Sequence, residues 1–455
     1  MAAGRKKDFP VFDCDSHIVE PAEIWDEYVP AAKREFVKEH FYNPLVADYK
    51  TLNGRRYPYN AARSISATSS WVPGRTSAET RRLIGTYTPG TPEYDEKLGK
   101  VAATWNPRAR LNDMDAMGID QVMVFPSHMV YLPMVRNAEA ARLLATAYND
   151  WAYDYCRADP ARLFPCGLLA LQDVEGAIAE VRRLAKHGFR SVAVRPVLWS
   201  GRYPTFPEFD PLWRELQESG LVLGMHTFPS SEPLSEELAA KMQASSKQPD
   251  AGATNAPFQS GSGLWREVIV YSPGQLVQNI VNIMGVPVNA SENVGFMFEA
   301  MTWLTVVLMT GWLAKFPHLR AAVLESNASW LPLILEKAET FLEVHANHRP
   351  VDLADPQETF DRQCFIAFET DEDAVYRMWD VYENIAIWSS DYPHHDGSDA
   401  WEAIERMTKW KVPASVQAKL LGGNARRMYG IEPVLSVTAP PASYVPVLEP
   451  TVGVI

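Results

Sequence analysis

Cysteine is scarce: four occur in 455 residues, Cys14, Cys156, Cys166 and Cys364, and no two stand in a CxxC spacing. That scarcity excludes a disulfide framework and a cysteine-rich zinc site. It predicts reduced, buried thiols in a cytoplasmic protein. Basic charge is in deficit as well, with 43 Lys and Arg against 56 Asp and Glu and a formal net charge of -13. Nucleic acid and anionic membrane surfaces need a basic patch, so neither is an expected partner. Long apolar runs are missing. The nearest approach, FMFEAMTWLTVVLMTGWLAKF, carries Glu299 and predicts a buried amphipathic helix, not a membrane span. The opening MAAGRKKDFP has no apolar stretch, so no signal peptide is expected. A glycine-rich phosphate turn is absent too, since its nearest candidate, LLGGNARR, falls among the last helices without a strand before it.

What is present is an apolar fraction of 47%, enough for a large core, arranged as a regular alternation. Short apolar runs read as strands: PVFDCD, QVMVFP, RLFPCGLLAL, RSVAVRP, LVLGMH, LRAAVLE, QCFIAF and NIAIWSSD. Longer segments of helical period separate them, among them VEGAIAEVRRLAKHG with Gly188 at its end and AEAARLLATAYNDWAYDYCRADP closed by Pro160. Eight β/α units predict an α/β fold closed into a (β/α)8 TIM-like barrel. Residues 1–432 then form a single barrel domain, and 433–455 a Pro-rich C-terminal tail read as an arm over a neighbouring subunit. Two stretches outside the alternation, about 30–106 and 229–293, follow strand ends and are expected to cap the C-terminal face. The first holds Tyr57, Tyr59, Trp71, Tyr87 and Trp105, whose rings would favour a planar substrate if they line the mouth.

Active sites in such barrels sit where strands finish, and most of these strands finish on polar groups. The first carries Asp13, Asp15 and His17 at alternate positions, which strand geometry assigns to one face. Asp13 divides evenly between a hydrogen-bonded structural role and the site. The fifth strand ends on His226, the sixth on Glu325 and the eighth on Asp391 within SSDYPHHD. Carboxylates and imidazoles converging from several strands predict a divalent metal on Asp15, His17, His226 and Asp391, with Glu325 beside it. The alternative for Glu325 is a helix-cap role in ESNASWLP. Arg195, ending the fourth strand, is either a clamp for a substrate carboxylate or the partner of an acid from the cap. His128, in PSHM, is carried as a substrate contact, although it reads equally well as a loop residue. The third and seventh strand ends, the latter Phe368–Glu369, offer little.

These segments resemble the amidohydrolase-related family of the metal-dependent amidohydrolase superfamily, the branch similar to aminocarboxymuconate semialdehyde decarboxylase. The likeness runs from FPVFDCDSHIVEPAEIW through FDPLWRELQESGLVLGMH and FPHLRAAVLESNASWLP to WSSDYPHHDG and LLGGNARRMYG. It implies a distorted eight-stranded barrel with one catalytic divalent metal, sometimes two, and either hydrolysis or non-oxidative decarboxylation. The family's strand-one pair falls on Asp15 and His17, its strand-five His on His226 and its strand-eight Asp on Asp391. Two departures stand out: the family often has His in place of Asp15, and often His where this chain has Glu325. Both add oxygen to the site, which favours manganese or iron over zinc.

The expected enzyme hydrolyses a C–N or C–C bond, or removes CO2 from a small, aromatic-type carboxylate, with hydrolysis slightly ahead. In either, Asp391 and His226 are catalytic, and His394 shares the proton-transfer role with Asp391. Two other readings remain: a non-haem iron oxygenase using Asp15, His17 and His226 as its facial triad, and a partner subunit without activity. The expected partners are a small-molecule substrate and further copies of the chain, as a homodimer or larger.

Overall fold

The structure is a computed structural model that describes residues 5–20, 23–40, 102–127, 129–228, 292–346, 353–394 and 396–444, two short strands at 49–52 and 55–58, and residues 73, 277, 280, 281, 283, 284 and 290. Among these residues, eight parallel strands form one sheet: β1 (Phe12–Ile18), β2 (Gln121–Pro126), β3 (Leu163–Leu168), β4 (Ser191–Val194), β5 (Val222–His226), β6 (Ala321–Leu324), β7 (Cys364–Glu369) and β8 (Ala386–Ser389). Each pairs with the next in chain order, as a right-handed β/α winding requires. Helices follow them, including α1 (Pro107–Met117), α2 (Ala138–Cys156), α3 (Val174–Lys186), α4 (Asp210–Ser219), α5 (Glu292–Met309), α6 (Leu331–Val344) and, after β8, α7 (Ala400–Lys409). The barrel predicted from the alternation is therefore the fold.

Local sequence explains the elements. In α3 the side chains of Ala177, Val181 and Leu184 recur every three or four residues and form the buried stripe. Asp173 caps its start by accepting the Gly176 N–H at 2.9 Å, an interaction worth about 1 kcal/mol. The same device recurs at Asn137 for α2 and Asp399 for α7. The strands are buried from both sides, so β2, β4, β5, β6 and β8 are buried throughout and read as continuous apolar runs. LLGGNARR has a packing role: a Cβ on Gly422 would lie 2.8 Å from the Phe12 nitrogen, so only glycine lets the last helices reach the foot of β1.

The first and last strands meet through polar groups, not a regular ladder. The His17 N–H donates to Tyr392 O at 2.7 Å and the Asp391 N–H to Asp15 O at 3.2 Å. Asp13 completes this seam, accepting the Ser390 N–H at 2.9 Å and the Ser390 hydroxyl at 2.5 Å. The expected alternation of Asp13, Asp15 and His17 on one face does not survive. Asp13 pairs with Val122 and Ser16 with Val124, so β1 has one extra residue between them, a bulge. The bulge leaves Asp13 to the seam and turns Asp15 and His17 together to the top of the barrel.

The described part of the tail lies along its own barrel. The Ser436 and Val437 N–H groups donate to Asp120 Oδ1 at 2.7 and 2.8 Å, and the Lys7 N–H to Thr438 O at 3.0 Å. The expected arm over a neighbour therefore concerns only residues 445–455, which lie outside the described residues. Most of the two cap stretches also lies outside them, with Tyr59, Trp71 and Tyr87. Trp105 is buried in the core. All four cysteines are free and buried. The apolar run around Glu299 is α5, and no helix among the described residues is long and apolar enough to cross a membrane.

Candidate metal centre

Four strand ends of the barrel deliver ionisable side chains to one point. His17 Nε2 lies 3.5 Å from Asp15 Oδ1, 3.4 Å from Asp391 Oδ1 and 3.8 Å from Glu325 Oε2. His226 Nε2 is 3.6 Å from the same Asp15 oxygen. Two overlapping sets have ligand atoms close enough to share an ion: Asp15, His17, His226 and Glu325, and His17, Glu325, Asp391 and His394. Sequence reasoning named all six, and the structure brings all six together. Two of them sit on left-handed backbone, Glu325 at φ 52° and Asp391 at φ 48°. That conformation is costly for residues with a Cβ and concentrates at functional sites.

The tautomers argue for a cation. His17 Nδ1 is 3.0 Å from Pro126 O and His226 Nδ1 is 2.8 Å from Thr227 O. A carbonyl can only accept, so the proton sits on Nδ1 in both rings and each Nε2 turns a lone pair to the centre. Both Nε2 atoms and both Asp15 oxygens are buried and make no hydrogen bond. Such a set would be expensive in an apolar barrel without a positive charge among its members. Two imidazole lone pairs with carboxylates around them fit a divalent metal of borderline or hard character.

The electrostatics agree. Burial, then the neighbouring His394 and His226, hold His17 well below its ordinary pKa, which keeps it neutral. For His226 burial works downward, but Asp15 and Glu325 outweigh it and the net shift is upward. Burial and the nearby Glu325, Asp396 and Glu369 push Asp391 well above the usual carboxylate range. Too many acids share this space, and a bound dication would reverse that pressure.

Around the ligands stand groups the sequence did not single out. Glu369, at the end of β7, is a half-buried acid near Asp396 and Glu325, and desolvation and their charges raise its pKa. Asp396 closes the SSDYPHHD motif, of which the sequence reading singled out Asp391 and His394. Glu20 accepts the Ser127 and Met129 N–H groups at 3.2 and 2.9 Å just beyond β2. His128 itself lies outside the described residues. Arg195 is engaged by Glu299 of α5 at 2.6 Å and by Phe228 O at 3.0 Å. Its partner acid thus stands on helix α5, outside the cap stretches, and Glu299 also accepts the Phe228 N–H at 3.1 Å.

An aromatic wall adjoins the centre. The Phe125 ring lies 5.4 Å from that of His226 and 6.3 Å from that of His17. Phe228 meets Tyr131 edge-on at 5.2 Å, and Phe296 at 6.3 Å.

The amidohydrolase family profile matches residues 12–431. The chain belongs to the amidohydrolase family. No curated protein matches by sequence. Among solved structures, this amidohydrolase is similar to one from Mycobacterium avium subsp. paratuberculosis K-10, at 18% identity over 93% of this chain and 100% of that one, with a TM-score of 0.60. A 5-carboxyvanillate decarboxylase from Sphingomonas paucimobilis gives 19% identity over 93% and 100% of the two chains, with a TM-score of 0.56. The 5-carboxyvanillate decarboxylase of Novosphingobium aromaticivorans, solved with manganese and 4-hydroxy-3-methoxy-5-nitrobenzoic acid, gives 18% over 94% and 99%, with a TM-score of 0.57. At these identities the likeness is one of fold.

Proposed function

We propose that this amidohydrolase is a divalent-metal-dependent enzyme that removes CO2 non-oxidatively from a small hydroxylated aromatic carboxylate, with manganese as the metal. The observation that carries the metal dependence is the pair of imidazole lone pairs and the unpaired, buried Asp15 carboxylate converging on one point. The decarboxylase reading is supported by the neighbours of the fold and by the aromatic wall of Phe125, Tyr131 and Phe228.

Asp15, His17, His226 and Asp391 would hold the ion, with Glu325 adjacent. The ion would supply a positive charge that draws the substrate's carboxylate and a neighbouring oxygen into place. The residues do the rest. Asp15 and His17, locked to the barrel seam, fix where the carboxylate lies. Phe125 and the rings behind Phe228 hold an aromatic ring flat and exclude water from one face. Asp391, in contact with His394 at 2.6 Å, supplies a proton to the ring carbon that carries the carboxylate. The carbon–carbon bond then breaks, CO2 leaves, and its electron pair restores the ring. His394, whose side chain is 19% exposed, returns the proton from solvent to Asp391.

Hydrolysis is the second reading, favoured by the family to which the chain belongs. It uses the same groups, with Asp391 accepting a proton from water and passing it to the leaving group. The deciding experiment incubates manganese-loaded protein with a panel of ortho-hydroxybenzoates and, separately, with amides and lactones of the same acids. CO2 release that chelation abolishes is the expected result. Turnover of amides or lactones without CO2 would replace decarboxylation by hydrolysis, and inertness towards both panels would sink the metal-dependent reading.

A further inference from the structure

Behind the metal centre, away from the substrate side, lies a buried polar chain that reaches the C-terminal tail. Tyr392 follows Asp391 directly, and its carbonyl accepts the His17 N–H at 2.7 Å and the Ser16 hydroxyl at 3.1 Å. Arg110 of α1 donates from Nη1 to the Ser16 hydroxyl at 2.7 Å and from Nη2 to His17 O. Its guanidinium also lies 4.7 Å from the Tyr392 ring centroid. One arginine therefore holds β1 and packs on the residue that follows Asp391. The Tyr392 hydroxyl donates to Asp113 Oδ2 at 2.6 Å, and Asp113 Oδ1 accepts from the Tyr444 hydroxyl, also at 2.6 Å. Asn112 hydrogen-bonds the same carboxylate. Tyr392 is wholly buried and Asp113 nearly so, whereas Tyr444 sits on the tail segment that climbs the barrel from the Asp120 contact.

We propose that Tyr444 is a positioning residue for the metal centre: through Asp113 and Tyr392 it holds the Asp391–His394 turn against the strand that bears Asp15 and His17. The physical argument is pre-organisation. Metal ligands bind tightly only when their orientation is fixed before the ion arrives, and groups behind them supply that orientation. Here the two tyrosines divide the oxygens of one buried carboxylate, so loss of one leaves an oxygen short of a donor and lets Asp113 swing towards the remaining donors. That movement pulls on Tyr392, and the ligand Asp391 is its chain neighbour. The tail thereby becomes part of the site, although no tail atom touches the metal.

This inference rests on the metal reading above, and the test separates the two. Mn2+ binding is titrated, with free Mn2+ followed by its electron paramagnetic resonance signal, on the full chain, Tyr444→Phe, a chain ending at Thr438, and Val437→Ala. Val437 is a buried tail residue near Asp120, so its truncation loosens the tail without touching the Tyr444–Asp113 link. Tyr444→Phe is expected to weaken Mn2+ binding by about tenfold, the scale seen for groups that orient ligands. The shortened chain should match it, and Val437→Ala should bind like the parent even at an equal loss of thermal stability. Unchanged Mn2+ affinity in Tyr444→Phe overturns the positioning role and leaves the metal centre standing. Equal weakening in Val437→Ala also overturns it, because general loosening would then explain the effect. A parent chain that binds no Mn2+ overturns the metal reading and this one together.

Discussion

His394 Nδ1 lies 2.6 Å from Asp391 Oδ1, while the two rings of His394 and His17 stack 4.1 Å apart. The contact joins a buried carboxylate of the candidate centre to a ring that is partly open to solvent. It is the arrangement a proton needs to enter from water and reach a reacting carbon. A ligand role for His394 is also open geometrically, since it belongs to the second of the two ion-holding sets. His394→Gln separates the roles. The proton-transfer role predicts a loss of kcat of about 10²–10⁴-fold with the metal content of the purified protein unchanged. Elemental analysis beside steady-state kinetics is the check, and loss of metal in the variant would make His394 a ligand.

The metal itself is tested by removal. Asp15→Ala and His226→Ala each delete a group that faces the shared point, so both are expected to lose the bound metal, read by plasma mass spectrometry. An ion that binds only the folded chain stabilises it by about 2.7 kcal/mol when present at a hundred times its Kd. Chelation should therefore lower the unfolding temperature of the parent and leave that of both variants nearly unmoved. Retention of metal in both variants would place the ion elsewhere.

The barrel and the cluster at its strand ends were legible in the sequence for a reason tied to the fold. Strands buried on both faces must be apolar, so an acid or histidine at the end of LVLGMH or NIAIWSSD stands out against its neighbours. Asp13 was ambiguous because strand periodicity cannot register a bulge; the extra residue is visible only in the pairing with Val122 and Val124. Glu369 was passed over because its strand end carries one acid with no spacing partner, and its significance depends on Glu325 and Asp396, remote in sequence. Arg110, Asp113 and Tyr444 were silent for the same reason. Each is an ordinary residue of a helix or tail, and only folding assembles them behind Tyr392.

Asp399 gives a pH dependence away from the candidate metal centre. It caps α7 by accepting the Glu402 N–H at 2.7 Å, and burial raises its pKa from 3.8 to about 7, against the pull of that N–H and of Arg5. A raised carboxylate pKa means that the folded chain binds this proton more tightly than the unfolded chain. Between about pH 4 and 7 the folded state therefore holds more protons, and stability falls as pH rises through that window. Asp399→Asn keeps a good capping acceptor and removes the titration. The variant should gain on the parent as pH rises from 4 to 8, by up to about 4 kcal/mol. Urea unfolding at several pH values is the measurement, and parallel curves for the two proteins would contradict it.

The Arg195–Glu299 pair offers the remaining test. Both side chains are largely buried, 5% and 10% exposed, and the pair ties α5 to the end of β4 beside His226. Removing one partner of a buried pair leaves the other charge without compensation, which costs about 3–5 kcal/mol, whereas replacing both by apolar groups of similar volume is often neutral. Arg195→Met alone should therefore be strongly destabilised, and Arg195→Met with Glu299→Leu should recover most of the loss in urea unfolding. The double variant then isolates substrate recognition from stability. A clamp on the substrate carboxylate requires its KM to rise about tenfold or more, the worth of a charge-assisted hydrogen bond. A recovered fold with the parent's KM would limit Arg195 to holding Glu299, and with it Phe228 in the aromatic wall.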